Sequence, residues 1–294
     1  MPLMKSGNPT TLDSPRGPKA YLLAARPKTW IASISPVCIG TAMAPHISIP
    51  ILALTLLFAL LIQIGTNFAN DYFDFINGAD SPLRNGPQRA VQEGWIAPRS
   101  MRLAAFLVFG SALFTAIPLM LLAGLWSLFL AAACIAFGIL YTGGPKPLGY
   151  LGLGELLVLI FFGPIAACGA YFLQTGLVAL PVFIASLAPG LLSCSILIAN
   201  NLRDEASDLA AHKKTLVVRW GAAFGKWEYI LSSGLAACVP VLLVFFYHAP
   251  PKLLAASLIV PPSWRALRSP ALLQISALLL FVYTSIFCLT LRGF

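Results

Sequence analysis

Ile51-Leu-Ala-Leu-Thr-Leu-Leu-Phe-Ala-Leu-Leu-Ile-Gln-Ile-Gly-Thr-Asn-Phe-Ala69 runs without interruption into Asn70-Asp-Tyr-Phe-Asp-Phe-Ile-Asn-Gly-Ala-Asp80. The first part is apolar and, at about 1.5 Å per helical residue, long enough to cover most of the roughly 30 Å of hydrocarbon in a bilayer. The second part places acid at the end of that helix, where a carboxylate beside hydrocarbon is costly and marks a working site. The arrangement recurs once, where the apolar run from Leu177 to Ala199 leads into Asn201-Leu-Arg-Asp-Glu-Ala-Ser-Asp208. Six of the chain's ten carboxylates fall in these two clusters.

The rest of the chain reads the same way. Of its 294 residues 59% are hydrophobic and 10% charged, with a mean hydropathy of +0.85, whereas a soluble domain has about 25% charged residues. The expected fold is all-α, a polytopic membrane protein. Apolar runs appear at about Trp30 to Ala44, Ile51 to Ala69, Met101 to Ala123, Leu125 to Thr142, Leu151 to Leu173, Leu177 to Ala199, Trp227 to Tyr247, Leu253 to Pro262 and Pro270 to Leu291. That predicts a nine-helix transmembrane bundle, with the first and eighth spans short.

If the first span starts inside, all of the 19 basic residues except Lys252 and Arg292 fall on the cytoplasmic side, the bias that orients membrane proteins. The expected location is the inner (plasma) membrane, with the acidic loops cytoplasmic. The net charge of +9 is spread over short loops beside helices, which points to topology and an anionic substrate and away from nucleic acid. Residues 1–25, rich in Pro, Gly and Ser, read as a disordered tail, and 26–294 as a single transmembrane domain. Ala42-Met43-Ala44 has the small-x-small pattern of a signal-peptide cut, but Pro45 directly after it disfavours cleavage. All six cysteines lie inside predicted spans without CxxC spacing, so they read as packing residues.

The two acidic clusters stand four helices apart, each at the cytoplasmic end of an even-numbered span. Each follows asparagines, Asn67 and Asn70 in one case, Asn200 and Asn201 in the other. This is the pattern of a parallel duplication with a site between the halves. On a helix, Asp71 and Asp74 share a face, as do Asp204 and Asp208. Mg2+ takes one or two carboxylates and fills its octahedron with water and substrate phosphate. Two facing pairs would therefore hold a diphosphate between metals, with Asn70 and Asn201 adding amide oxygens and Asp80 orienting metal-bound water.

The bland reading makes these acids solvated loop residues or helix caps. Two clusters at matching positions, in a chain with so few other acids, argue against it. Arg84 and Arg89 follow the first cluster, Lys213 and Lys214 the second. Such cations can take the diphosphate oxygens that metals leave and stabilise the leaving group; Arg89 and Lys213 are the favoured pair. A third loop, Tyr141-Thr-Gly-Gly-Pro-Lys-Pro-Leu-Gly-Tyr150, carries Lys146 and two tyrosines. Glu155 lies just inside the next helix, where a carboxylate is functional by default.

These motifs together resemble the UbiA superfamily of intramembrane prenyltransferases. The likeness to that family's first signature covers Asn70 to Asp80 with Arg84-Asn-Gly-Pro-Gln-Arg-Ala-Val91 and Gly94-Trp-Ile-Ala-Pro98. The likeness to the other signature covers Asn200-Asn-Leu-Arg-Asp-Glu-Ala-Ser-Asp208, continuing through Lys213 and Thr215 to Val218-Arg-Trp-Gly221. Arg26-Pro-Lys-Thr and Tyr141-Thr-Gly-Gly-Pro match as well. The spacing from Asp74 to Asp80 is closest to the 1,4-dihydroxy-2-naphthoate polyprenyltransferase branch. Two departures stand out: His212 where that branch commonly has Gly, and Trp220 where Leu is usual.

The resemblance implies a helical bundle around a central cavity, capped by cytoplasmic loops and open sideways to membrane lipid for a polyprenyl tail. It implies Mg2+ held by Asp71, Asp74, Asp204 and Asp208, drawing diphosphate off a polyprenyl diphosphate to leave an allylic cation. An aromatic naphthoate acceptor attacks that cation and loses CO2 to give demethylmenaquinone, a step in menaquinone biosynthesis. Asn67, Asn70, Asp80, Arg84, Arg89, Asn201, Arg203, Lys213 and Glu155 are the expected substrate-binding set, Arg26 meets the acceptor's carboxylate, and Lys146 or Tyr141 orients or deprotonates it. Three alternatives stand beside this reading. The same fold could serve a 6-naphthoate or a hydroxybenzoate. A CDP-alcohol phosphotransferase also pairs Asp motifs, but wants a Gly-x2-Ala-Arg run and a nearby partner motif. A secondary transporter would place acids at helix breaks near mid-bilayer.

Overall fold

The computed structural model describes residues 15–78 and 88–291, and these residues are helical, with no strands among them. Short helix α1 (Pro18–Ala24) leads to α2 (Trp30–Ala42), α3 (Ile49–Ile76), α4 (Pro98–Ala123) and α5 (Trp126–Leu140). Next come α6 (Gly154–Ile160) and α7 (Ala166–Thr175), then α8 (Leu180–Ala210), α9 (Leu216–Tyr247), α10 (Ala255–Leu258) and α11 (Leu272–Leu291). Among the described residues, six helices are long and apolar enough to cross a membrane, with α6 and α7 counting as one. The protein is an integral membrane protein.

Proline and glycine shape the bundle. Pro36, Pro118, Pro189 and Pro240 sit inside α2, α4, α8 and α9, which membrane helices tolerate because neighbours satisfy the freed carbonyls. The turn Phe161–Ile165 between α6 and α7 is a π-helical bulge with Gly163 out of helical geometry and Pro164 beside it. A Cβ on Gly163 would lie 2.9 Å from the Ser186 carbonyl oxygen, so glycine lets the broken helix cross closely over α8. Gly40 does the same where α2 crosses α7: a Cβ there would strike the Ala167 carbonyl oxygen.

The hairpins α3/α4 and α8/α9 are the most extensive helix pairs, and α2 packs against α7, α8 and α11 between them. The main core joins α2, α8, α9, α10 and α11, with Leu280, Tyr283 and Phe287 fully buried.

Three expectations change. The tail expected up to residue 25 is helical over Pro18–Ala24, because Ala20 and Ala24 are buried against Phe68, Val91, Ile96 and Met101. The eighth span is not a continuous helix: 3-10 turns at Pro251–Leu254 and Pro261–Arg268 flank α10. That segment lies antiparallel along α9, with Ser257 Oγ donating to the Ala237 carbonyl at 2.6 Å and Trp264 Nε1 to Ser233 Oγ at 2.9 Å. Finally, α3 and α8 extend past the apolar runs, to Ile76 and Ala210, so Asp71 and Asp74, and Asp204 and Asp208, ride on the last turns of continuous helices.

Candidate functional site

A chamber of about 1400 Å3 opens between α2, α3, α5, α6, α7, α8 and the start of α11. Its deeper walls are apolar, with Phe58, Ile62, Leu130, Phe137, Phe161 and Phe172 among the lining residues. Its head is polar, and there the ends of α3 and α8 both line the chamber, through Asp74 on one and Asp204 on the other.

On α3, both carboxylates are buried, Asp71 1% and Asp74 4% exposed. Asp71 accepts the backbone N–H groups of Ala90 at 3.1 Å and Val91 at 3.0 Å, one on each oxygen. It thereby fastens the loop that carries Arg89 and packs Ala90, Val91 and Ile96 into a small core. A carboxylate has about four lone-pair sites, so two such contacts leave lone pairs on Asp71 unused. Asp74 accepts from Arg89 Nη2 at 2.7 Å and from the Tyr150 phenol at 2.9 Å.

One turn earlier, Asn67 Nδ2 donates to the Ala25 carbonyl at 3.0 Å, drawing Arg26 to the chamber. Arg26 adopts the left-handed conformation, φ 52°, which costs a non-glycine residue energy and is kept where the surroundings impose it. Asn70 Oδ1 accepts from the Thr142 hydroxyl at 2.7 Å.

On α8, Asp204 takes two parallel N–H bonds from its neighbour Arg203, at 2.8 and 2.7 Å. Asp208 pairs with Lys213 at 3.3 Å, while its buried Oδ2 has no hydrogen-bond partner among the described residues. Asn201 donates from Nδ2 to Glu155 Oε1 at 2.8 Å. The loop from Tyr141 to Leu153 joins the two halves. It meets α3 through Thr142 and Tyr150, and the far side through Lys214 N donating to the Tyr150 carbonyl at 3.0 Å and Arg219 Nη2 to the Leu151 carbonyl at 2.8 Å.

The chamber thus gathers Asp74, Asp204, Asn67, Asn70, Asn201 and Tyr141 on its walls, with Arg26, Arg89, Arg203 and Lys213 beside them. Asp71, Asp208 and Glu155 stand outside the lining set, Asp71 bonded to the loop, Asp208 to Lys213 and Glu155 to Asn201. Lys146 is exposed and does not line the chamber, whereas Tyr141 does. Asp80 and Arg84 lie outside the described residues. Sequence reasoning missed Lys28, Lys226 and Arg268 at the chamber and the tie from Tyr150 to Asp74. Tyr150 did stand in the loop singled out for its Gly-Gly-Pro turn; its acidic partner, 76 positions earlier, carried no local signal.

The residues present fit a hard divalent cation. The donors are all oxygens, as Mg2+ prefers, and the buried Asp208 Oδ2 is a polar atom lacking the partner that burial demands. Among the described residues no three acids stand together ready to ligate. Asp74, Asp204 and Asp208 are instead each paired with a basic side chain.

Comparison with known proteins shows the family. A family profile described as "UbiA prenyltransferase family" matches residues 33–269. The chain is 39% identical over 249 residues, 84% of both chains, to a 1,4-dihydroxy-2-naphthoate octaprenyltransferase of Mycobacterium tuberculosis. It is 34% identical to the protein of the same name from Escherichia coli, over 79% of this chain and 78% of that one. A solved UbiA homologue from Archaeoglobus fulgidus, bound to GPP and Mg2+, shares the fold: TM-score 0.65 at 18% identity, covering 94% of this chain and 100% of that one.

Proposed function

The chain belongs to the UbiA prenyltransferase family and is an enzyme that transfers prenyl groups; from that premise we propose that it moves a polyprenyl group from polyprenyl diphosphate onto 1,4-dihydroxy-2-naphthoate in menaquinone biosynthesis. The acceptor choice rests on the relatives named for that activity. The observation that carries the chemistry is that two acid-bearing helix ends line the polar head of one apolar chamber.

Asp74, Asp204 and Asp208 would hold Mg2+, with Asp71 lending its remaining lone pairs. Bound there, the metal supplies positive charge to the departing diphosphate. Arg89, Arg203 and Lys213 donate to the remaining phosphate oxygens as their acids turn to the cation. The prenyl C–O bond breaks toward diphosphate, and Phe137, Phe161 and the other apolar walls keep water from the allylic cation. Arg26 takes the acceptor's carboxylate, and the Tyr141 phenol orients the ring. The ring carbon bearing that carboxylate forms the new C–C bond. CO2 leaves and its bonding electrons return to the ring, which restores the aromatic system without a further proton loss because the acceptor is bound as its carboxylate. The product is the reduced form of demethylmenaquinone. The acid-bearing ends face the cytoplasm, in keeping with the distribution of basic residues.

The helix break at Phe161–Ile165 carries no acid, unlike a transporter's midplane site. The test is to incubate purified protein with Mg2+, a long polyprenyl diphosphate and a panel of aromatic acids, following products by mass spectrometry. Prenylated, decarboxylated naphthoate is the expected product. Preference for a hydroxybenzoate would overturn the acceptor, and substrate flux into liposomes without product would overturn the enzyme reading.

A further inference from the structure

Asn201 lines the chamber and is 5% exposed, yet its amide has a fixed orientation. Its Nδ2 donates at 2.8 Å to Glu155 Oε1, and Glu155 does not line the chamber. The contact is made by the amide nitrogen, and this fixes which end of the amide points where. The NH2 group is turned back toward α6. The carbonyl oxygen, which receives no donor from the described residues and is not enclosed by them, is left to the chamber.

Glu155 is itself held firmly. It stands in the first turn of α6, where a negative side chain suits the helix dipole. Its own backbone carbonyl accepts the Cys194 thiol of α8 at 3.2 Å. Next to it, Gly154 lets the start of α6 approach: a Cβ there would lie 3.1 Å from the Tyr141 hydroxyl and 3.2 Å from Leu197. The contact with Asn201 is therefore built by two packed helices and not by a loose surface pair.

The other half of the site is set the opposite way. Asn70 Oδ1 is taken by the Thr142 hydroxyl, which leaves its NH2 group toward the chamber. The Asn70 oxygen thus already accepts one hydrogen bond, whereas the Asn201 oxygen accepts none from the described residues. The first half-site presents an amide donor, suited to a phosphate oxygen. The other presents an amide acceptor one helical turn from Asp204 and two from Asp208, suited to a cation.

We infer that Glu155 is a positioning residue that keeps the Asn201 carbonyl oxygen facing the chamber, where it completes the cation-binding side of the diphosphate site. The inference rests on the metal-and-diphosphate reading above. Glu155 touches neither substrate; it acts through Asn201 alone.

The test uses the purified full chain, Mg2+ and an unreactive prenyl thiolodiphosphate, with the Mg2+-dependent rise in thermal midpoint as the binding readout. Glu155→Gln retains an acceptor oxygen and is expected to keep the wild-type response. Glu155→Leu removes the acceptor and is expected to raise the Mg2+ concentration for half-maximal stabilisation by about tenfold or more, the loss expected for a hydrogen bond to a charged group. Glu155→Met fills similar space without an acceptor and carries the same expectation should the leucine variant not fold. In turnover, the KM for polyprenyl diphosphate rises while the KM for the aromatic acceptor stays put. In an Asn201→Leu background, Glu155→Leu adds nothing, because the two side chains act as one unit.

A wild-type response from Glu155→Leu or Glu155→Met, or losses that simply add in the double variant, overturns the inference. Absence of Mg2+-dependent stabilisation in the wild-type protein overturns the metal-and-diphosphate reading instead, and this inference with it.

Discussion

The Tyr150 phenol donates to Asp74 at 2.9 Å, tying a cytoplasmic loop to the first acidic helix. The other side of the same ring faces Lys213, whose ammonium lies 5.7 Å from the ring centroid and pairs with Asp208. One aromatic side chain therefore stands between acids that come from opposite halves of the chain. Tyr150→Phe keeps the ring and removes the donor. It should lower kcat/KM by about ten- to a hundredfold, the equivalent of a hydrogen bond to a charged group at about 1.5–3 kcal/mol, with the unfolding midpoint nearly unchanged.

Asp71 holds two backbone amides of the loop after residue 87. Asp71→Ala leaves both N–H groups buried without a partner, at about 1–3 kcal/mol each. The expected outcome is loss of turnover together with faster protease cleavage within residues 88–96. Unchanged cleavage would show that Asp71 does not anchor the loop.

Divalent metal removal gives the third prediction. Excess chelator should abolish turnover and added Mg2+ should restore it, since three acidic side chains need a cation before their basic partners can turn to diphosphate. Full activity in chelator would rule out the proposed chemistry.

The crossing of α2 over α7 predicts a stability effect far from the chemistry. Gly40→Ala drives a methyl group into the Ala167 carbonyl, and overpacking of this kind costs about 1–3 kcal/mol. Thermal unfolding in detergent should show the loss.

His212 offers a change in the other direction. Its φ of 55° is left-handed, the conformation in which glycine is at ease and other residues lose about 1–2 kcal/mol. His212→Gly should stabilise the fold by up to about 1 kcal/mol once glycine's greater entropy loss is subtracted, measured as a raised unfolding midpoint. The resemblance to a branch with Gly at this position was informative here, because the backbone keeps the glycine geometry without the glycine.

The apolar runs and the paired acids were legible because each is a local property of the chain. What was hidden depended on partners distant in sequence. Residues up to Ala25 read as a tail because they are rich in Pro, Gly and Ser, and only contact with Phe68 and Met101 reveals the burial of Ala20, Ala24 and Ala25. The eighth span had the hydrophobicity of a helix, while Pro251, Pro261 and Pro262 broke it into 3-10 turns. Asp71 looked like a free ligand since the amides it binds lie beyond the loop, and the contact of Glu155 with Asn201 joins helices 46 positions apart.

Three ion pairs head the chamber: Asp74 with Arg89, Asp204 with Arg203, and Asp208 with Lys213. Each sums to zero, so these six ionised groups can rest at the edge of a membrane without a net monopole to be desolvated. A transmembrane voltage acts on net charge, so it exerts no net pull on these pairs.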